Sequence, residues 1–307
     1  MKKKISIVIP CFNEEAALPE TIEAFKRFIA DRENYEFEVL FIDDGSTDKT
    51  LSMIQIAKDE NSSFRVVSFT RNFGHQAAVL AGLKNCSGDA AVIIDADLQD
   101  PPAVIDEMLL AWEEGHEIAY GRRVERKGET AFKKISAHLF YRTLNYFSDV
   151  EIPRNVGDFQ LLDKKVISQV LQMPEKDKYL RGLIGWTGYK SQAIDYVRDE
   201  RRAGETKYTF SKMLKLAFSA ILSFSVKPLY FVLYLGFGVA IFSIVFALYF
   251  VISRIYGADA LPGWTGLIVT MLFLGGTQLI AIGVLGIYAG RIFTEVQNRP
   301  TYIEKEL

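Results

Sequence analysis

The sequence predicts an α/β fold, a Rossmann-like and mostly parallel sheet domain followed by amphipathic interfacial helices and two transmembrane helices. Three observations carry this prediction. Four short β-branched runs alternate with longer helical patterns over the first 114 residues. The polar clusters fall where those runs end. Charged residues crowd positions 1–227, whereas from Pro228 to Gly290 the only ones are Arg254 and Asp259.

The predicted strands are residues 5–9, 37–42, 65–69 and 90–94, and the predicted helices are residues 15–30, 47–58, 75–84 and 102–114, in the order βαβαβαβα. Such alternation implies a parallel sheet with helices on both faces and a ligand site beyond the carboxyl ends of the strands. The N-terminal Met1-Lys2-Lys3-Lys4 and the short apolar run after it are too brief for a signal peptide, so the N-terminal domain is expected to stay in the cytoplasm.

Residues 127–150 form an amphipathic pattern, with Phe132, Ile135, Leu139 and Phe140 interleaved with Lys133, Lys134 and Arg142. A second such stretch, residues 210–226, carries Lys212 and Lys215. Each reads as a core-facing helix or as an interfacial one; the second leads directly into a predicted span, where a helix lying on anionic lipid is expected. Residues 228–253 and 266–290 are each long and apolar enough to cross ~30 Å of hydrocarbon. Lysines 207, 212, 215 and 227 precede this hairpin and Arg291, Arg299 and Lys305 follow it, so the positive-inside rule places both termini in the cytoplasm of a multi-pass plasma-membrane protein. The resulting division is a domain at 1–209, a juxtamembrane helix at 210–227, a hairpin at 228–290 and a tail at 291–307.

Composition excludes little but is useful. Lys+Arg 36 against Asp+Glu 38 gives a net charge of -2, which offers no global basic excess for nucleic acid. The two cysteines, Cys11 and Cys86, match no metal-ligand spacing and suit a reducing compartment.

The chemistry-bearing clusters follow the strands. Asp43-Asp44-Gly45-Ser46-Thr47-Asp48 closes the second strand. It reads as a turn with a helix N-cap, or as paired carboxylates that accept hydrogen bonds from a base or ribose. Asp95-Ala96-Asp97-Leu98-Gln99-Asp100 follows the fourth strand. An extended backbone would turn Asp95, Asp97 and Gln99 to one side, as a hard, oxygen-ligated Mg²⁺ or Mn²⁺ requires. Arg71-Asn72-Phe73-Gly74-His75 lies between them as a strand-to-helix connection, and His75 is assigned no catalytic role. Gly157-Asp158-Phe159 sets an acid beside a glycine after the first amphipathic stretch. The basic run around Arg198, Arg201, Arg202 and Lys207 is either solvated charge or a grip for phosphate near the bilayer.

Taken together, these clusters resemble the family 2 glycosyltransferases of the GT-A fold. In particular they are similar to polyprenyl-phosphate glycosyltransferases of the dolichyl-phosphate mannose synthase and bactoprenol glucosyltransferase type. The matching pieces are Ile9-Pro10 with Asn13-Glu14, Asp43 to Ser46, Arg71 to Gly74, Asp95 to Pro102, Gly157 to Phe159, Arg202 with Gly204 to Tyr208, and the terminal pair of spans.

The resemblance implies that Pro10, Asn13, Glu14, Asp43, Asp44 and Asp95 line a nucleotide-sugar pocket, that Asp95, Asp97 and Gln99 surround Mg²⁺ or Mn²⁺, and that Asp158 with Asp97 serves the transfer. Asp158 would act as a base or would position the acceptor. Arg123, Lys134, Arg202 and Lys207 become candidates for acceptor phosphate or donor diphosphate. The implied reaction is inverting transfer of a hexose, best matched by glucose from UDP-glucose, to polyprenyl (undecaprenyl) phosphate for cell-envelope glycosylation. UDP-N-acetylglucosamine or GDP-mannose as donor, a processive polysaccharide synthase and a catalytically dead scaffold are the alternatives. The membrane is an expected partner, nucleic acid is not, and room is left for a homo-oligomer.

Overall fold

The computed structural model describes residues 2–124, 156–175, 179–198, 227–256 and 263–306. They fall into two compact units. The first holds the N-terminal domain together with residues 299–307, and the second holds the helices before residue 299.

In the first unit the elements run β1 (Lys3–Cys11), α1 (Leu18–Ala30), β2 (Tyr35–Asp43), α2 (Thr50–Glu60), β3 (Phe64–Ser68), α3 (His75–Asn85), β4 (Ala90–Ile93), α4 (Val104–Glu113), β5 (Ile118–Arg123), β6 (Val156–Asp163), α5 (Lys164–Gln172), α6 (Leu180–Trp186) and β7 (Ser191–Tyr196). The seven strands form one sheet in the order β3-β2-β1-β4-β6-β5-β7. All neighbours are parallel except those of β6, which runs against both β4 and β5.

The sequence explains the layers. β1 is central, and Ile5, Ile7, Val8 and Ile9 are all fully buried, as a strand covered on both faces demands. On α1 the buried residues Leu18, Thr21, Ile22, Phe25 and Phe28 recur at helical spacing and pack with Ile5, Ile7 and Phe41. On the other face α3 is small-residue rich, with every position from Ala77 to Leu83 buried. A Cβ at Gly82 would lie 2.1 Å from Val8 Cγ1, so this glycine lets the helix sit directly on β1.

One reversed strand shapes the site. Because β6 runs antiparallel, its first residues lie at the sheet edge where β1, β2 and β4 end, and β5 and β7 end there too. The residues after β1, β2, β3 and β4, the start of β6 and the end of β5 are thereby gathered along one edge.

The second unit contains α7 (Lys227–Ile255) and α8 (Gly263–Val296), which lie against each other. Both are long and apolar enough to cross a membrane, over Leu229–Phe246 and Thr270–Val296, and none of either stretch is buried in protein. The two apolar helices accordingly match the pair predicted from sequence, with α8 continuing to Val296. The amphipathic stretches 127–150 and 210–226 lie outside the described residues.

Candidate active site

A cleft of about 560 Å³ opens at the carboxyl edge of β1, β2 and β3. Its wall is partly apolar, from Phe12, Leu51 and Phe69, and partly hydroxylic, from Ser46, Thr47 and Thr70. Asp43 is buried at its floor, where Oδ1 accepts from the Ser46 amide at 3.1 Å and Oδ2 from the Ser68 hydroxyl at 2.7 Å. Gly45 belongs to the turn that shapes it, at φ +67°. A Cβ there would meet the Arg71 carbonyl carbon at 2.3 Å, so the turn requires glycine on both counts.

The other predicted nucleotide residues stand around this cleft without lining it. Asp44 is buried, its two oxygens accepting from the amides of Phe73 at 2.6 Å and Gly74 at 2.9 Å. Burial nonetheless leaves its carboxyl above the usual range, because these amides only partly offset desolvation and Asp43 adds like charge. Asp44 thus ties the loop after β3 to the end of β2. Asn13 adopts the left-handed region at φ 54°, its side-chain oxygen accepts from the Thr47 amide at 2.9 Å, and its own backbone amide donates to Ser46 Oγ at 3.0 Å. The Glu14 amide donates to Thr50 Oγ1 at 2.8 Å, and Pro10 is buried within β1 opposite Ile42. These residues set the shape of the turn that forms the cleft.

Beyond β4 the extended geometry predicted for Asp95, Asp97 and Gln99 is replaced by a turn. The strand stops at Ile93, Leu98 lies at φ 52°, and Asp97 Oδ1 accepts from the Gln99 amide at 3.1 Å. The Gln99 side chain is buried, while Asp95 and Asp97 remain half-buried. Alternation therefore is not what relates these three residues; the Asp97 side chain caps its own turn, as a short acidic residue readily does.

Asp95 lies in a cluster of acids. Burial raises its carboxyl, His75 acts in the opposite sense, and Asp100, Asp158 and Asp97 raise it further. A divalent cation would offset that repulsion. Among the described residues no group of three His, Cys, Asp or Glu side chains is arranged to hold an ion alone. Two carboxylates completed by diphosphate oxygens and water suit Mg²⁺ or Mn²⁺, which are commonly bound in this way. The residues present therefore fit the ion implied by sequence.

Asp158, third residue of the reversed β6, is the centre of an ion network that the sequence did not disclose. Arg181 of α6 grips it with two donors, Nε to Oδ1 at 2.6 Å and Nη2 to Oδ2 at 3.1 Å. His75, at the start of α3, donates from Nε2 to Oδ2 at 3.1 Å and lies 3.9 Å from Asp95 Oδ1. Burial alone would raise the Asp158 carboxyl, but His75 and Arg181 outweigh it and hold it well below the carboxylate range. Burial lowers His75, yet its bond to Asp158 and the charge of Asp95 leave it raised. Asp158 is thus a firmly ionised anchor and a poor proton acceptor. In the sequence His75 sits in a strand-to-helix connection and Arg181 carries no motif or spacing signal; only the fold brings residues 75, 158 and 181 together.

Arg123, expected to hold phosphate, has a protein partner. Its Nη2 lies 3.7 Å from the buried Asp100, its Nε donates to the Tyr196 hydroxyl at 3.2 Å, and its guanidinium occupies the space beside Gly157 that a Cβ would fill. Asp100 also accepts from Tyr196 at 2.5 Å and pairs with Arg198 at 3.2 Å. Lys134, Arg202 and Lys207 lie outside the described residues.

The chain matches the family described as "Glycosyl transferase family 2" over residues 6–171, more than half its length. The Bacillus subtilis (strain 168) protein "Uncharacterized glycosyltransferase YkcC" is 42% identical over 97% of this chain and 92% of its own. The Shigella flexneri "SfII prophage-derived bactoprenol glucosyl transferase" is 40% identical over 99% of this chain and 98% of its own. A crystal structure of glucosyl-3-phosphoglycerate synthase from Mycobacterium tuberculosis aligns with 72% of this chain and 79% of its own, at 21% identity and a TM-score of 0.49. By the family match and these near full-length relatives, the chain is a glycosyltransferase and belongs to glycosyl transferase family 2.

Proposed function

We propose that the chain transfers glucose from UDP-glucose to undecaprenyl phosphate at the cytoplasmic surface of the plasma membrane, with inversion at the anomeric carbon. The observation that carries this reading is the full-length similarity to a bactoprenol glucosyl transferase in a chain whose acidic sheet edge is joined to two membrane-length apolar helices. The docked C-terminal residues support the topology. Residues 303–305 pair with residues 68–70 of the N-terminal domain, which favours a hairpin whose two ends lie on the same side of the membrane. The positive-inside rule makes that side the cytoplasm.

In this reading Asp43 and the hydroxyls around it hold the nucleoside, and Asp95 and Asp97 hold Mg²⁺ or Mn²⁺. The ion supplies charge neutralisation for the departing diphosphate. A phosphate oxygen of the lipid attacks the anomeric carbon as the bond to the nucleoside diphosphate breaks and its electrons leave with the diphosphate. A phosphate monoester is largely ionised near neutral pH, its second pKa being about 6, so no strong base is needed. Asp158, kept ionised by Arg181 and His75, positions the reacting groups. Catalysis then rests on orientation and on preorganised charge. The membrane fits this division of labour, because drawing a polyprenyl tail into water costs roughly 0.8 kcal/mol per CH₂.

Incubating the purified chain in detergent with undecaprenyl phosphate and radiolabelled UDP-glucose, UDP-N-acetylglucosamine or GDP-mannose tests the reading. Labelled lipid is expected chiefly from UDP-glucose, dependent on divalent metal. Labelling from another donor alone would overturn the sugar assignment, and a polymeric product would overturn the single transfer.

A further inference from the structure

We infer that Lys305, near the end of the chain and beyond both apolar helices, is a nucleoside-binding residue of the donor cleft whose ammonium group donates to a carbonyl oxygen of the base. The inference rests on the donor reading above and names a contact that the motifs of the N-terminal domain do not contain.

The tail is docked by backbone and side chain together. Glu304 bridges antiparallel to Phe69, the Lys305 amide donates to the Ser68 carbonyl at 2.7 Å, and the Thr70 amide donates to the Ile303 carbonyl at 3.0 Å. Tyr302 stacks on Phe69 with ring centroids 4.8 Å apart and planes within 15°. These contacts place Lys305 beside Ser68, whose hydroxyl binds Asp43, and make it part of the cleft wall.

Topology identifies which end of the donor Lys305 faces. It lies at β3, whereas Asp95 and Asp97 follow β4, and β2 and β1 intervene in the sheet. Three strand spacings amount to about 14 Å. Lys305 is therefore remote from the carboxylates assigned to the ion and diphosphate, and stands at the nucleoside end.

The groups there are complementary to a base with a ring N–H beside a carbonyl. Asp43 is an acceptor, and the exposed ring of Phe12 with the side chain of Leu51 offers an apolar surface to a flat ring. A cationic donor completes the set. Arg71, the other cation in the wall, already donates to the Asn72 carbonyl at 3.0 Å and lies over the Phe73 ring at 4.0 Å. Among the described residues the Lys305 ammonium makes no hydrogen bond or ion pair. Uracil presents a C4 carbonyl beside its ring N–H, where cytosine presents an amino group beside a bare ring nitrogen; the C2 carbonyl is common to both bases, so the contact assigned to Lys305 is the one to the C4 carbonyl.

The test uses the full chain in detergent, with UDP and CDP as probes in calorimetry and UDP-glucose in transfer assays. Lys305→Ala is expected to raise the UDP Kd and the donor KM about tenfold, the scale of one charge-assisted hydrogen bond. Its kcat at saturating donor and its acceptor KM should be unchanged, and Lys305→Arg should restore part of the affinity. The preference for UDP over CDP should narrow in Lys305→Ala. Because the docking bond is made by the Lys305 backbone, the thermal midpoint should match that of the parent protein, separating a contact from loss of the tail. An unchanged UDP Kd in Lys305→Ala, with the parent binding UDP, refutes this inference alone. Equal losses for UDP and CDP refute the base contact. Failure of the parent chain to bind any nucleoside diphosphate refutes both this inference and the donor reading.

Discussion

Replacing Arg181 by Met keeps most of the side-chain stem and removes both hydrogen bonds to Asp158, at 2.6 and 3.1 Å. Two unit charges about 4 Å apart interact by about 4 kcal/mol at an effective dielectric of about 20. The Arg181 side chain is 32% exposed, against 14% for Asp158, so water screens part of this attraction. His75 also remains as a partner for the carboxylate. We therefore expect a loss of about 2 kcal/mol, below the ~3–5 kcal/mol seen when a fully buried pair is broken. For a domain of this size that lowers the unfolding midpoint by about 4–8 °C, readable from tryptophan fluorescence of the full chain in detergent. The folded-state carboxyl of Asp158 is depressed, so the stabilisation is fully present above its unfolded pKa of about 3.9 and is lost as pH falls towards the folded value. The gap between parent and variant should be full at pH 7 and should narrow below about pH 4. Turnover should fall more than donor affinity, because Asp158 loses its orientation at the transfer centre. Equal midpoints at pH 7, or a gap that does not change with pH, would refute the network as described.

Three further outcomes follow from the same geometry. Asp97→Asn keeps the cap on Gln99 but removes a charge, and should reduce transfer at least about 100-fold while shifting the metal titration to higher concentration; full activity of this variant in chelator would exclude a metal role. Gly45→Ala forces a side chain into a left-handed turn and against the Arg71 backbone, costing at least about 1–2 kcal/mol and raising the donor KM, as thermal melts and initial rates will register. Glu38 is buried between Ser6, Ser87 and Arg65, whose hydrogen bonds outweigh burial and bring its carboxyl down to about 2. Glu38→Gln should destabilise the domain by about 2 kcal/mol at pH 7, with the difference shrinking below about pH 4 and an unchanged midpoint at neutral pH contradicting the assignment.

The first half of the domain was legible because its signals are local. Runs such as Ile5 to Ile9 and the helical spacing of Leu18, Ile22 and Phe25 declare their own periods, and all eight elements through α4 match those predicted. The later strands β5, β6 and β7 were not read from the sequence. β7 is short and polar, with Ser191, Gln192 and Asp195 exposed, and β6 opens on Val156 followed by Gly157 and Asp158, which break an apolar strand pattern. The site divides in the same way. Asp43, Asp95, Asp97 and Asp158 were marked by their motifs, whereas the partners of Asp158 were not. Arg181 is 23 positions from Asp158 and His75 is 83 away; no spacing rule spans such separations, and it is the reversal of β6 that closes them. The face shared by Asp95, Asp97 and Gln99 was argued from an extended backbone, and the left-handed Leu98 shows why that argument does not apply.

The antiparallel pairing of β5 with β6 has a consequence for the chain that joins them. Arg122 stands opposite Val156, so the two strands are hydrogen-bonded neighbours, and a ladder of this kind can be closed by a connection of about 2–5 residues. The chain places residues 124–155 there, far more than the ladder requires. Both attachment points lie on the edge that carries the acidic site, and the strands before and after them are held by their own neighbours, β7 and β4. The register of the sheet is therefore set by pairings that do not depend on the length of that stretch. The strands that carry Asp43, Asp95 and Asp158 are paired independently of residues 125–155, so a change of length between Val124 and Val156 can be accommodated while those three carboxylates keep their places in the sheet.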